Sequence, residues 1–449
     1  MPRSRRTVAL AVALVVLAGA VPVAGDETPP ATDETIDIET EGFEPDYDPT
    51  TVLSRVERLR DLSATQDITL HEYDAEEGPP YDVRDAFGGI RPIGAQALQL
   101  YSNATTERRH PLGYTVERRG EVHIYLLDES DLTDHGVSQE AVLAHEFVHA
   151  LQFQHDLLTP SRRQFRSAFD RWTTDSRLVT TALVEGDAMW VTQQYLDRDG
   201  ESDYSVGEYN RTLTRAAWPH SIAGTPYYYG YEFHEAAGSS AANRSAAIER
   251  PPNSTAELLH PGEEIERAPL PDSPEISGDR NLTRYHTDTV GELVVRHALR
   301  LNGLRFARAA DAAEGWTNDR MDYYAADETG PATRWVTMWE SGDEAREFAA
   351  AWRDLLDASG ARDNQTSDDT LLVPASDHAP GMYYIVERDG ATVRVTAAET
   401  ADTAARLAEA AENSARSLVR DSARSSAQDS PAHSGRSSAT SDPNATAVR

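Results

Sequence analysis

No cysteine and no lysine occur among the 449 residues. Without cysteine there is no disulfide framework, no thiol nucleophile and no thiolate-bound metal, so any metal must be held by histidine and carboxylate. A lipid anchor on an N-terminal cysteine is excluded for the same reason. Without lysine, all 42 basic residues are arginine; 75 acidic residues outnumber them and leave a formal charge of −33. A surface this acidic repels nucleic acid and anionic membranes, so neither is an expected partner. The excess reads either as a sink for basic partners or as the solvated surface of a salt-adapted protein. The second reading says nothing about substrate and is the one carried forward.

Apolar runs long enough to span a bilayer are also wanting. The run from Thr7 to Val23 is slightly short for a membrane helix. It follows Arg3, Arg5 and Arg6, and small residues mark its end, Ala18-Gly19-Ala20 and then Ala24-Gly25. That is the layout of a signal peptide, by the general or the twin-arginine route. Its removal leaves no stable membrane span. Seven Asn-x-Ser/Thr sequons, at Asn103, Asn210, Asn243, Asn253, Asn281, Asn364 and Asn444, fit a glycosylated chain that is extracellular or held at the cell surface.

Composition and periodicity divide the rest. Residues 1–25 read as the signal peptide and 26–49, acidic and proline-bearing, as a disordered leader. Residues 50–358 read as one domain. Within it, TVLSRVERLRDL, PIGAQALQLYSN, a long segment starting near Ser138, and 176–197 are helical. DITLHEYD and EVHIYLLDE (121–129) are strands, and further helices fall at 288–301, 304–314 and 342–357. Residues 359–420 read as a small β/α unit whose hairpin turns at Asp389-Gly390, and 421–449 as a disordered tail. The expected class is α+β, predominantly helical, with a small mixed sheet.

Chemistry concentrates in AHEFVHALQFQH, residues 144–155. His145 and His149 are one helical turn apart, so both imidazoles share a face and can share a metal. Glu146 is rotated by about 100° from His145. It can therefore take a proton from a water that the metal polarises instead of binding the metal. The alternative is a core helix with two satisfied histidines. A catalytic zinc needs a third ligand, and two residues compete. His155 would complete a metzincin-like H-E-x-x-H-x-x-G-x-x-H, but Gln152 stands where glycine lets the chain turn sharply out of the helix. Glu185, in ALVEGDAMW, is a carboxylate flanked one turn away by Thr181, Ala182, Ala188 and Met189, and a buried carboxylate needs a cation. Asp187 beside it is either an orienting partner for a ligating imidazole or a surface charge.

HEFVH followed by VEGDA resembles the gluzincin metallopeptidases, in which a glutamate from a second helix completes the zinc site. The E-G-x-A form is most similar to the aminopeptidase-N branch. That branch carries P-Y-x-x-G ahead of a helix, and Pro226-Tyr227-Tyr228-Tyr229-Gly230 falls in that register. The resemblance implies Zn2+ held by His145, His149 and Glu185, Glu146 as general base, and Tyr227 as the oxyanion donor, with Tyr231 or His234 as alternatives. It also implies that strand 121–129 is the edge strand that pairs with an extended peptide or protein substrate. The G-x-M-E-N motif that reads a free N-terminus is missing; no methionine lies between Met1 and Met189. The expected enzyme is a peptidase other than an N-terminus-reading aminopeptidase. The competing readings are a cell-surface binding or structural protein with a non-catalytic zinc, and a metzincin using His155.

Overall fold

A computed structural model describes residues 36–74, 89–100, 111–118, 120–135, 137–159, 172–199, 205–213, 215–216, 218–238, 240–273, 282–325, 330–363, 370–376 and 379–410. The signal segment, residues 26–35 of the leader, the tail from 421 and the sequons at Asn103, Asn281, Asn364 and Asn444 lie outside them. The fold class is α+β, with two sheets and more helix than strand among the described residues.

The first sheet holds β1 (Ile38–Glu41), β2 (Ile68–Tyr73), β3 (Gly113–Arg118) and β4 (Glu121–Leu127) in the order β1-β2-β4-β3. β1 and β2 run parallel, as do β2 and β4, while β3 is antiparallel to β4. Two expectations are corrected here. The leader ends in ordered structure: IETE has no apolar alternation, yet its backbone pairs with β2 in register from Ile38↔Ile68 to Glu41↔His71. The strand at 121–127 is internal, and β3 is the edge. Its inward residues, Val122, Ile124 and Leu126, are fully buried, as an inner strand requires.

Helix α1 (Pro49–Arg60) starts at Asp48, whose carboxylate accepts from the Thr50 amide at 3.1 Å. Next come α2 (Pro92–Ala97), α3 (Glu129–His135) and α4 (Gln139–Gln154), the last capped by Ser138. They are followed by α5 (Thr174–Asp199), α6 (Val206–Leu213), α7 (Trp218–Ala236), α8 (Ala241–Glu249) and α9 (Thr255–Leu259). Val142, Phe147, Ala150 and Leu151 of α4 pack with Ile68, Leu70 and Ile124 of the sheet and with Val52 and Val56 of α1 in one apolar cluster. α4 is buried nearly all round, because the sheet, α1 and α5 enclose it.

The second sheet replaces the small C-terminal unit expected from sequence. It contains β5 (Thr283–Asp288), β6 (Trp316–Ala325), β7 (Ala332–Trp339), β8 (Arg362–Asp363), β9 (Thr370–Val373), β10 (Met382–Asp389) and β11 (Thr392–Ala398). Its order is β5-β6-β7-β11-β10-β9-β8, antiparallel throughout. A boundary at 358 therefore cuts through one hydrogen-bonded sheet, since β7 pairs with β11 across it. The β10–β11 hairpin is present, with Gly390 supplying the positive φ of 55°. α10 (Glu292–Leu301), α11 (Phe306–Asp311) and α12 (Gly342–Ala358) complete this half, and residues 401–410 are helical. Phe348, Trp352 and Leu355 of α12 recur at helical spacing and bury against the sheet, with Trp352 meeting Trp335 edge-on at 5.2 Å between centroids.

The halves are fastened at the start of α5. Asp288 accepts from the Thr174 amide at 2.8 Å and from its hydroxyl at 2.6 Å. Asp175 accepts from the Thr255 amide and hydroxyl, and from Arg267 at 2.9 Å. The second sheet thus sets the position of the helix that carries Glu185. Among the described residues, no helix is long and apolar enough to cross a membrane.

Candidate metal centre

α4 and α5 bring His145, His149 and Glu185 together with one ligand atom of each within 4.8 Å of the others. Glu185 Oε2 is 3.2 Å from His145 Nε2 and 3.3 Å from His149 Nε2. All three residues are buried, at 0–1% exposure. Among the described residues no other histidine, aspartate or glutamate joins the group.

Both imidazole tautomers are fixed by their neighbours. The Gln152 amide nitrogen donates to the Val184 carbonyl and to Asp187 Oδ2, so its oxygen faces His149 Nδ1 at 2.9 Å and accepts from it. Thr192 donates its hydroxyl proton to the Ala188 carbonyl at 2.8 Å, so its oxygen is left to accept from His145 Nδ1 at 3.4 Å. Each ring therefore carries N–H on Nδ1, and in its neutral form offers the Nε2 lone pair on the side of Glu185. In the metal-free chain, burial depresses the His145 pKa. Burial acts the same way on His149, but the Glu185 charge outweighs it and holds that group up at about 9. Burial works to raise Glu185, and the facing imidazoles pull it down to about 2.

The donor set fits a borderline divalent cation. Glu185 Oε1, Glu146 Oε1 and His149 Nε2 are buried without a hydrogen bond. A ligand spacing of 3.2–3.3 Å is that of a tetrahedron with bonds of roughly 2.0–2.1 Å, the zinc range.

Glu146 points from the same helix toward the edge strand. Thr115 of β3 donates to its Oε2 at 2.7 Å, which leaves Oε1 unpartnered. Burial pushes this carboxyl up to about 7. Gly113 makes room for it: a Cβ there would stand 2.6 Å from Val142 Cγ1 and 3.1 Å from Glu146 Oε1.

The remaining sequence candidates separate. The Tyr227 ring lies nearly parallel to that of His145, with 6.4 Å between centroids, and is buried. The P-Y-x-x-G motif sits inside α7 and does not precede a helix. Pro226 cannot donate to the Ile222 carbonyl, and the Thr225 hydroxyl takes that carbonyl at 2.6 Å, so the helix continues. His234 donates from Nε2 to the Leu183 carbonyl and is fully buried on the Asp187 side. Tyr231 is half-buried near Glu235, Glu232 and Asp197. His155 ends α4 and donates to the Ser63 carbonyl at 2.8 Å, away from the centre.

Asp187 touches no imidazole; it acts on His149 through Gln152. Arg60 and Arg244 each bind it at 2.8 Å, all three fully buried. Arg60 also donates to Ser245 at 2.9 Å, and the Arg244 guanidinium lies 3.9 Å from the Trp190 ring centroid. These partners, with Thr115, Thr192 and Gln152, escaped sequence reasoning. The sole signal for Gln152 was its spacing of three from His149, which puts both on one helix face.

A family described as a domain of unknown function (DUF8575) matches residues 280–408, the stretch that carries the second sheet and not the helices of the centre. No curated protein sequence and no solved structure matches the chain.

Proposed function

We propose that the chain is an exported, salt-adapted zinc peptidase of the gluzincin type, with His145, His149 and Glu185 as ligands. The observation that carries the reading is a three-ligand group, joined by no fourth ligand among the described residues, beside the unpartnered Oε1 of Glu146. Structural zinc sites are closed by four protein ligands, whereas catalytic ones keep a position open. Zinc held there supplies Lewis acidity, polarising a carbonyl and making water acidic.

The chain's own groups then divide the work. Thr115 holds one oxygen of Glu146 and leaves the other free to receive a proton from water and return it to the leaving amine. Tyr227 is assigned as hydroxyl donor to the oxyanion. The outer edge of β3, next to Glu146, offers backbone groups to an extended peptide.

The test is Glu146→Gln. Bound zinc should stay at the wild-type level, while cleavage of a mixed peptide library in concentrated salt disappears. Normal turnover by that variant would overturn the mechanism. A second reading, a zinc that only staples the fold, draws on the complete burial of the ligands. Cobalt substitution separates the two, because a hydroxamate shifts the visible spectrum of a site with an open position and leaves a closed one unchanged.

A further inference from the structure

On the face of the first sheet opposite α4, two more imidazoles meet. His71 of β2 and His123 of β4 point outward because Ile68, Leu70, Val122 and Ile124, alternating with them, point into the core. His71 Nε2 is 3.1 Å from His123 Nδ1. The far nitrogens meet carboxylates: His71 Nδ1 is 3.3 Å from Glu41 Oε2 on β1, and His123 Nε2 is 3.9 Å from Glu121 Oε2. Tyr125 stacks on His71 at 4.4 Å between centroids and fixes the plane of that ring. The two histidine side chains are 18% and 19% exposed, open to solutes but not freely rotating.

A neutral imidazole has one N–H to give. On His71 the Glu41 carboxylate, 3.3 Å from Nδ1, draws the proton to that side, whereas Glu121 at 3.9 Å is too far to hydrogen-bond His123. His71 Nε2 then presents its lone pair to His123 Nδ1 across 3.1 Å, a gap that either a proton on His123 or a cation taken by both nitrogens fills. Two bonds of roughly 2.0–2.1 Å meeting near a right angle span that gap. Carboxylate backing of the non-ligating nitrogen is how a metal-binding histidine is held and made more basic, and imidazole pairs suit zinc, copper and nickel.

We propose that His71 and His123 form a second divalent-cation site, for Zn2+ or Cu2+, with Glu41 setting the His71 tautomer and solvent completing the coordination. It shares no residue with the buried centre and lies across the sheet from it. Because Glu41 belongs to β1, the site ties the end of the leader to the sheet.

Zinc titration of the full chain by calorimetry, with elemental analysis, tests the assignment. Two equivalents are expected, one much weaker than the other. His71→Ala and His123→Ala should each remove the weaker and keep the tighter, whereas Glu185→Ala should do the reverse. Copper(II) loaded into Glu185→Ala should show hyperfine coupling to two nitrogens. One equivalent in the wild type, or a second equivalent that survives both histidine substitutions, would overturn the proposal and leave the pair sharing a proton.

Discussion

Gly186 and Gly230 meet backbone to backbone: a Cβ on Gly186 would stand 2.2 Å from the carbonyl carbon of Gly230. In the other direction, a Cβ on Gly230 would stand 1.8 Å from the Ala182 carbonyl oxygen. The glycine after Glu185 and the glycine that ends P-Y-x-x-G are thus one contact, and it brings α7 close enough to α5 for the Tyr227 ring to lie 6.4 Å from that of His145. Gly230→Ala must push the helices apart. A loss of at least about 1–3 kcal/mol is expected, in the overpacking range, read as a lowered denaturant midpoint. An unchanged midpoint would show that the helices are not this close.

His145→Ala, His149→Ala and Glu185→Ala should each strip the metal from the buried centre, and His155→Ala should not. Elemental analysis after dialysis against a weak chelator reads the difference. Metal retained by Glu185→Ala and lost by His155→Ala would transfer the site to the metzincin arrangement.

Gln152→Ala removes the acceptor that fixes the His149 tautomer while leaving all three ligands in place. Zinc affinity should weaken by about 10–100-fold, the usual effect of losing such a partner. An unchanged dissociation constant in competitive chelation would mean that Gln152 only packs.

Asp187→Asn leaves Arg60 and Arg244 buried with no counter-charge. Breaking a buried pair in this way costs about 3–5 kcal/mol. Urea unfolding should show the loss in metal-free protein too, which distinguishes it from an effect on zinc. A stability within experimental error of wild type would refute the clamp.

Burial pushes the Asp288 carboxyl up to about 7 and the Asp319 carboxyl up to about 6, against an ordinary value of 3.8. A carboxyl raised in the folded state binds its proton more tightly there than in the unfolded chain. Stability therefore falls as pH rises from about 4 through about 7 and is flat above. Asp288→Asn should remove part of that fall, of the order of a few kcal/mol. The comparison is between denaturation midpoints at pH 4.5 and pH 8. A variant that kept the full slope would place the titration elsewhere.

Much of the centre was legible because its chemistry is local. His145, Glu146 and His149 occupy one helix whose cap and periodicity are plain, and Glu185 announced itself as a carboxylate with small and apolar neighbours. Gln152 was hidden by its type: judged as a substitute for a turn-forming glycine, it is instead a helical residue whose amide bridges two helices. Arg60 and Arg244 were illegible because their partner lies 127 and 57 positions away. β6 and β7 escaped for another reason. Asp319, Asp322, Thr333, Arg334 and Thr337 are buried there among the aromatics, so neither alternation nor an apolar run marks the strands. The backbone pairing of β1 leaves no trace in side-chain polarity at all.

The Arg60–Asp187–Arg244 clamp also bears on how the chain assembles. Its members come from α1, α5 and α8, so the clamp is complete only when all three helices have packed together. A partly assembled chain that buries Asp187 early carries a naked charge into the interior and is driven back open. Gln152 bonds both Asp187 and His149, so the aim of that imidazole rests on the packing of the same helices that hold the clamp.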